Sequence, residues 1–193
     1  MCLIERQTWY RLGEMIIEYN GKKPRVSGKA FVAPNAALIG DVEVAEGASI
    51  WFGAQVRGDM GKITVGAGSN IQDNVVVHAE PGKQTVIEED VTVGHGAVLH
   101  TCTIKRGAVI GIKAVVLDDA VVGEQAMVAA GSVVTPGMQI PPRHLAAGMP
   151  ARVKKELEGK SLWWVEQSPE DYAKLTESYL QQGIGRIDSD EGI

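Results

Sequence analysis

Aromatic side chains are scarce in this sequence, at 5% of 193 residues, so a core built on stacked rings is excluded. With 45% hydrophobic residues and 23 glycines, packing has to come from small and β-branched side chains. Cysteine is almost missing. Cys2 and Cys102 cannot make a disulfide framework and read as two free thiols in a reducing cytosol. No apolar run approaches the roughly 18 residues that span a bilayer. The opening Met1-Cys2-Leu3-Ile4-Glu5-Arg6 also has no apolar signal segment, which points to a cytoplasmic protein with no membrane partner. Nor is there an excess of positive charge. A net charge of −5 without a basic stripe speaks against a nucleic-acid partner.

What is abundant is repetition. From Val32 an aliphatic residue recurs every six positions, at Val32, Leu38, Val44, Ile50 and Val56, with a mostly small side chain four residues after each. An insertion of three residues near Gly61 interrupts the count, which resumes at Val65, Ile71 and Val77. A second insertion around Pro81-Gly82-Lys83-Gln84 precedes Ile87, Val93 and Leu99. One step is then a residue short, and the series runs on through Ile104, Ile110, Val116, Val122, Val128 and Val134. A fixed period of this kind marks stacked repeats. The Val and Gly content is wrong for a helix. Six-residue steps suit a prism with three flat faces, each face a short parallel strand. The seventeen anchors make nearly six coils.

Residues 1–15 read as a loose extension and Met15-Ile16-Ile17-Glu18-Tyr19 as the first strand. Residues 16–135 form the repeat domain. The repeat is expected to stop at Pro136-Gly137, and 136–182 to hold a turn and two helices. The first helix is read over Arg152–Glu158, ending at Gly159. The second is capped by Ser168 with Pro169 in its first turn, and carries Tyr172, Leu175 and Tyr179 as its apolar stripe. Residues 183–193 read as a mobile tail.

Three of the four histidines lie between Val77 and Thr101, and the period says which can meet. Residues three anchors apart lie one coil above each other. His78 follows Val77 and His100 follows Leu99, so they occupy equivalent positions about 4.8 Å apart. Two histidine nitrogens on a tetrahedral zinc sit roughly 3.3 Å apart, given Zn–N of about 2.0–2.1 Å, and such a pair can converge to that. Arg57 lies one coil below in the same column. His95 falls on a different face, above Asp73 with Gln72 alongside. Two faces of one prism cannot easily share an ion, whereas two prisms side by side can. A threefold ring with head-to-tail contacts achieves this, so the arithmetic suggests a homotrimer with metal at its interfaces. Arg57 would then face the neighbour's Asp73 as a bidentate pair.

The run Val56-Arg57-Gly58-Asp59, then Asn70-Ile71-Gln72-Asp73-Asn74, His78, Gly94-His95-Gly96 and His100 resembles the active site of the γ-class carbonic anhydrases. These belong to the hexapeptide-repeat proteins, and the likeness covers roughly Ile16 to Tyr179. It implies a left-handed parallel β-helix with a C-terminal α-helix packed alongside. That hand comes from the resemblance alone, since the general preference for right-handed crossovers points the other way. It also implies Zn2+ (or Fe2+ or Co2+) held by His78 and His100 of one subunit and His95 of the next. The implied reaction is hydration of CO2 to bicarbonate by a metal-activated water, a lyase activity. The resemblance gives Gln72 a hydrogen bond to metal-bound solvent and bicarbonate, places Arg57 and Asp73 in an interface pair, and has Asp59 and Asn70 support the site.

The sequence departs from the best-characterised members in lacking acidic loop residues near the site. Met60 follows Asp59, and the insertion after His78 offers only Glu80, so the proton-shuttle residue (Glu80, Tyr172 or Tyr179) stays open. So do the native metal and a redox role for Cys102 beside His100. Two other readings follow. One is a γ-class relative with weak or no CO2 hydration, acting as a small acyl or thioester hydrolase or a scaffold. The other is a hexapeptide acyltransferase, in which a third ligand-like His with Arg57 and Asp73 has no job.

Overall fold

The structure, a computed structural model, describes residues 15–185. The expected N-terminal extension, Cys2 and the tail beyond residue 185 lie outside the described residues. Every anchor of the six-residue series from Val32 to Val134 is buried, as are small partners such as Ala48, Ala54, Ala108, Ala114, Ala120 and Ala126. Strand pairing puts the anchors into three columns. Leu38, Val56, Val77, Leu99, Val116 and Val134 stack on one face. Val44, Val65, Ile87, Ile104 and Val122 stack on the second, and Val32, Ile50, Ile71, Val93, Ile110 and Val128 on the third. The chain is a left-handed parallel β-helix.

The coil runs further than the periodicity suggests. Ile16 pairs over Leu38 and Val26 over Val44 at one end. At the other, Ile140 pairs with Val122 and Ala146 with Val128. Seven coils result, not nearly six, and the repeat does not stop at Pro136-Gly137. The reason is local. Most corners place a residue of positive φ three positions after the anchor, as at Asn74 (φ 58°) and Gly96 (φ 66°). Gly137 (φ 70°) fills that position after Val134, so Pro136-Gly137 is one more corner.

The first and second faces run together because the strands Ala37–Val44 and Gln55–Val65 continue round the corner between them. The extra residues after Asp59 tuck under the next loop. A Cβ on Gly61 would lie 2.5 Å from the carbonyl oxygens of Glu80 and Lys83, so only glycine fits there.

Beyond the coil, the expected helix at Arg152–Glu158 is a strand. Ala151–Glu156 pairs antiparallel with His144–Gly148, because an open strand edge outweighs the helix-favouring composition of Arg152-Val153-Lys154-Lys155-Glu156. One helix follows, Gly159–Gln181, with Ser168 and Pro169 inside it and not at its start. Its core-facing stripe is Val165, Ser168, Tyr172, Thr176 and Tyr179, at helical spacing, whereas Leu175 is exposed. The helix packs alongside the coil on an aromatic cluster. Tyr172 lies 5.4 Å and Tyr179 5.3 Å from the Trp51 ring, and Phe31 and Phe52 complete the group. Five of the sequence's ten aromatic residues thus meet where the helix docks.

Candidate metal centre

Arg57, His78 and His100 stack in one column, in the order the period assigned. His78 Nδ1 and His100 Nε2 face each other at 3.2 Å, the span that two ligands of one tetrahedral ion require. Each ring's other nitrogen meets a carboxylate. His78 Nε2 lies 3.0 Å from Asp59 Oδ1, and His100 Nδ1 lies 2.5 Å from Asp118 Oδ1. A carboxylate only accepts, so those two nitrogens carry the protons. The facing nitrogens then present two lone pairs to each other. Two lone pairs at that distance repel unless a proton or a metal ion lies between them. The donor set therefore fits a metal ion, with carboxylates fixing both tautomers from outside.

Both carboxyls are held ionised. Burial pushes the Asp59 carboxyl up, but hydrogen bonds from Arg57 and His78 outweigh it and leave the group below its ordinary value. Asp118 behaves alike: burial raises it, and His100 and Thr101 bring it below.

The third histidine stands on the other column. His95 Nδ1 lies 2.8 Å from Asp73 Oδ2, and the ring is about half exposed, 46%. Its Nε2 has no partner among the described residues. The backbone N–H of His95 donates to Gln72 Oε1 at 3.1 Å, and Gln72 Nε2 donates to Asn70 Oδ1 at 3.1 Å. Asn70 and Gln72 are both buried. Among the described residues of one chain, no cluster of three or more His, Cys, Asp or Glu side chains could hold a metal. One chain thus offers two converging nitrogens on one column and a third, outward-facing histidine on another.

Other expected residues have partners within the chain. Arg57 Nη1 bonds Asp59 Oδ2 at 2.6 Å, and Asp73 is taken by His95. Glu80 is paired with Lys83 at 2.9 Å, and Lys83 also reaches Asp119. Tyr172 is half-buried, and burial, with Asp73 nearby, pushes its hydroxyl up to about 12. Cys102 is a core residue whose thiol burial pushes up to about 12, which removes it as a thiolate ligand at neutral pH. Asp118 was not foreseen. The signal was there: it lies two residues after Val116, one coil beyond His100, within diagonal reach.

No family model matches the chain. It is 42% identical over 167 residues to "Gamma carbonic anhydrase 2, mitochondrial" of Arabidopsis thaliana, which covers 83% of this chain and 60% of the plant protein. It is 41% identical over 170 residues to a carbonic anhydrase of Geobacillus kaustophilus, covering 87% of this chain and 93% of that one. The chain belongs to the γ-class carbonic anhydrase family. This γ-class chain spans about 60% of the length of the plant relatives it matches. It is also 41% identical over 157 residues to the carnitine operon protein CaiE of Escherichia coli, covering 81% and 80%. Among solved structures, a hexapeptide transferase family protein from Anaplasma phagocytophilum superimposes with a TM-score of 0.83 at 42% identity, covering 86% of this chain and 98% of that one. The γ-class fold is thus shared by proteins carrying different functional names.

Proposed function

We propose that this protein is a cytoplasmic homotrimer that hydrates CO2 to bicarbonate at metal sites in its subunit interfaces. His78 and His100 of one subunit and His95 of the next would hold the ion, with Zn2+ favoured and Fe2+ or Co2+ acceptable to the same imidazoles. The observation that carries this is the 3.2 Å approach of His78 Nδ1 to His100 Nε2 with both outer nitrogens on carboxylates. Bound there, the ion supplies Lewis acidity that makes water a nucleophile near neutral pH.

The chain's own groups do the rest. Asp59 and Asp118 keep His78 and His100 in the tautomers that aim lone pairs inward. Asp73 does the same for His95, fixing the proton on Nδ1 and freeing Nε2 for a neighbour. Gln72 has its oxygen on the His95 N–H and one N–H on Asn70, leaving one N–H to donate to an oxygen of the substrate or product. Arg57 and Asp73 would supply the cross-subunit ion pair, each giving up part of its partner within the chain on assembly.

One observation favours a second reading, a γ-class metalloprotein with weak hydration or acyl-hydrolase chemistry. Glu80, the one acidic residue of the short loop, is tied to Lys83, and Met60, next to Asp59 in the chain, is exposed. CaiE, a relative of similar identity, takes its name from a carnitine operon. Metal content per subunit and stopped-flow CO2 hydration on one purified sample separate the two. One ion per chain with hydration above the free-metal blank supports the first. Metal without hydration, together with hydrolysis of a small acyl thioester, overturns it in favour of the second.

A further inference from the structure

A line of four buried side chains runs from the C-terminal helix to the site. Ser168 Oγ lies 2.9 Å from Thr92 Oγ1, Asn70 Nδ2 lies 2.9 Å from Thr92 Oγ1, and Asn70 Oδ1 lies 3.1 Å from Gln72 Nε2. Gln72 Oε1 ends the line on the backbone N–H of His95. All four residues are 5% exposed or less. The polarity of the line follows from its end. A backbone N–H can only donate, so the Gln72 atom facing it is the oxygen and the amide nitrogen faces Asn70. Asn70 must then present its oxygen to Gln72 and its nitrogen to Thr92, whose oxygen accepts. Thr92 and Ser168 share the last bond of the line through their hydroxyls, and either can be its donor.

We propose that Ser168, through Thr92 and Asn70, is a positioning residue that holds the Gln72 amide in one orientation, so that the site faces a hydrogen-bond donor. This rests on the hydratase reading for its consequence in turnover, but not for the relay itself. Without the helix end, the Thr92 hydroxyl can rotate to donate to Asn70 instead of accepting from it; that favours a turned-over Asn70 amide, which would leave Gln72 held only at His95. The helix and the candidate site are thus joined by buried side chains from three separate segments of the chain. Ser168 sits mid-helix, where its hydroxyl competes with the backbone and adds nothing to helix stability. Its burial against Thr92 gives it a use there.

The test uses the full-length protein with 15N-labelled Asn and Gln side-chain amides, as Ser168→Ala, Ser168→Thr and Thr92→Val. Solvent exchange of the Asn70 and Gln72 side-chain amide protons is read first on metal-free protein. Ser168→Ala and Thr92→Val are expected to exchange about tenfold faster than the parent, and Ser168→Thr at the parent rate. On metal-loaded protein, the two disruptive variants should keep the parent's metal content and KM. Their kcat for CO2 hydration should fall about fivefold, the size of one lost positioning hydrogen bond, with Ser168→Thr restored. Unchanged exchange in both disruptive variants overturns the proposal, as does a kcat loss that merely follows metal loss. If the parent itself shows no hydration, the hydratase reading fails while the exchange rates alone still decide for or against the relay.

Discussion

Replacing Asp118 tests the centre at the point where the structure goes beyond the sequence. Its Oδ1 lies 2.5 Å from His100 Nδ1, and the carboxylate is 27% exposed. Losing such an outer partner of a metal-binding histidine costs about 10- to 100-fold in metal affinity, or about 1.4–2.7 kcal/mol. Asp118→Asn keeps an oxygen that accepts the His100 Nδ1–H and loses only the charge, which solvent already screens in part. It should fall at the weak end, about tenfold. Asp118→Ala removes the acceptor, frees the ring to turn and should approach about a hundredfold. Asp119→Asn is the control, since that carboxylate meets Lys83 on the exposed side and touches neither histidine. The assay is zinc competition against a chromophoric chelator, with the oligomeric mass of each variant measured alongside. Affinities for both Asp118 variants within about twofold of the parent would refute the argument that this carboxylate sets the His100 tautomer.

His95→Ala should remove bound metal and CO2 hydration together, because one chain supplies only the His78–His100 pair; metal analysis beside stopped flow checks it, and activity retained with the metal lost contradicts it. The Cys102 thiol, held protonated by burial up to about 12, should resist thiol reagents until the protein unfolds. An unfolded thiol titrates at about 8.5, so Cys102's share of stability is complete below that and is lost as pH rises from there toward 12. Urea melts of Cys102→Ala should therefore show a flatter alkaline limb than the parent. Ile110, fully buried between Val93 and Val128, should cost about 2–5 kcal/mol on truncation to Ala, read as a shift in the urea midpoint at unchanged slope.

Much of the fold was legible because its physics is one-dimensional. Each step buries one aliphatic and one small side chain, so a period of six residues carries both the face and the coil number. That is why the period alone carries the His78–His100 pairing and the placement of His95 over Asp73. The ends were harder. Ile16–Val26 and Ile140–Ala146 belong to the coil, but the first pair is split by a loop and the second by prolines, so a count of aliphatic residues stops short of both. Beyond the coil, local propensity misled. Arg152–Glu156 has helix-forming residues but sits beside an open strand edge, and the Ser168-Pro169 pair looks like a helix start when Val165, one turn earlier, is already buried in the contact. Asp118 and the Thr92–Ser168 bond were missed because they join residues at unlike offsets, which a column count does not pair.

Where the period fails is itself informative. With Ile16 and Val26 counted, every step between anchors is six residues except four: Ile16 to Val26, Val56 to Val65, Val77 to Ile87 and Leu99 to Ile104. All four fall at the same corner, the one leaving the first face, and three of them follow Arg57, His78 and His100 in successive coils. A regular step after Val56 would turn the chain at Asp59. The three extra residues instead let the strand Gln55–Val65 run on, so that Arg57 and Asp59, two apart, point the same way. That places Asp59 against His78 Nε2 and Arg57 against Asp59. Gly61 then lets the next loop close down over the strand, bringing Glu80 and Lys83 to the rim. The short step after Leu99 brings the left-handed corner residue forward to Thr101 (φ 46°), whose hydroxyl lies between His100 Nδ1 and the Glu80 N–H. A stack selected only for stability would have no reason to break in one corner and nowhere else. The breaks put outer partners around the two histidines while leaving the ligand column in register.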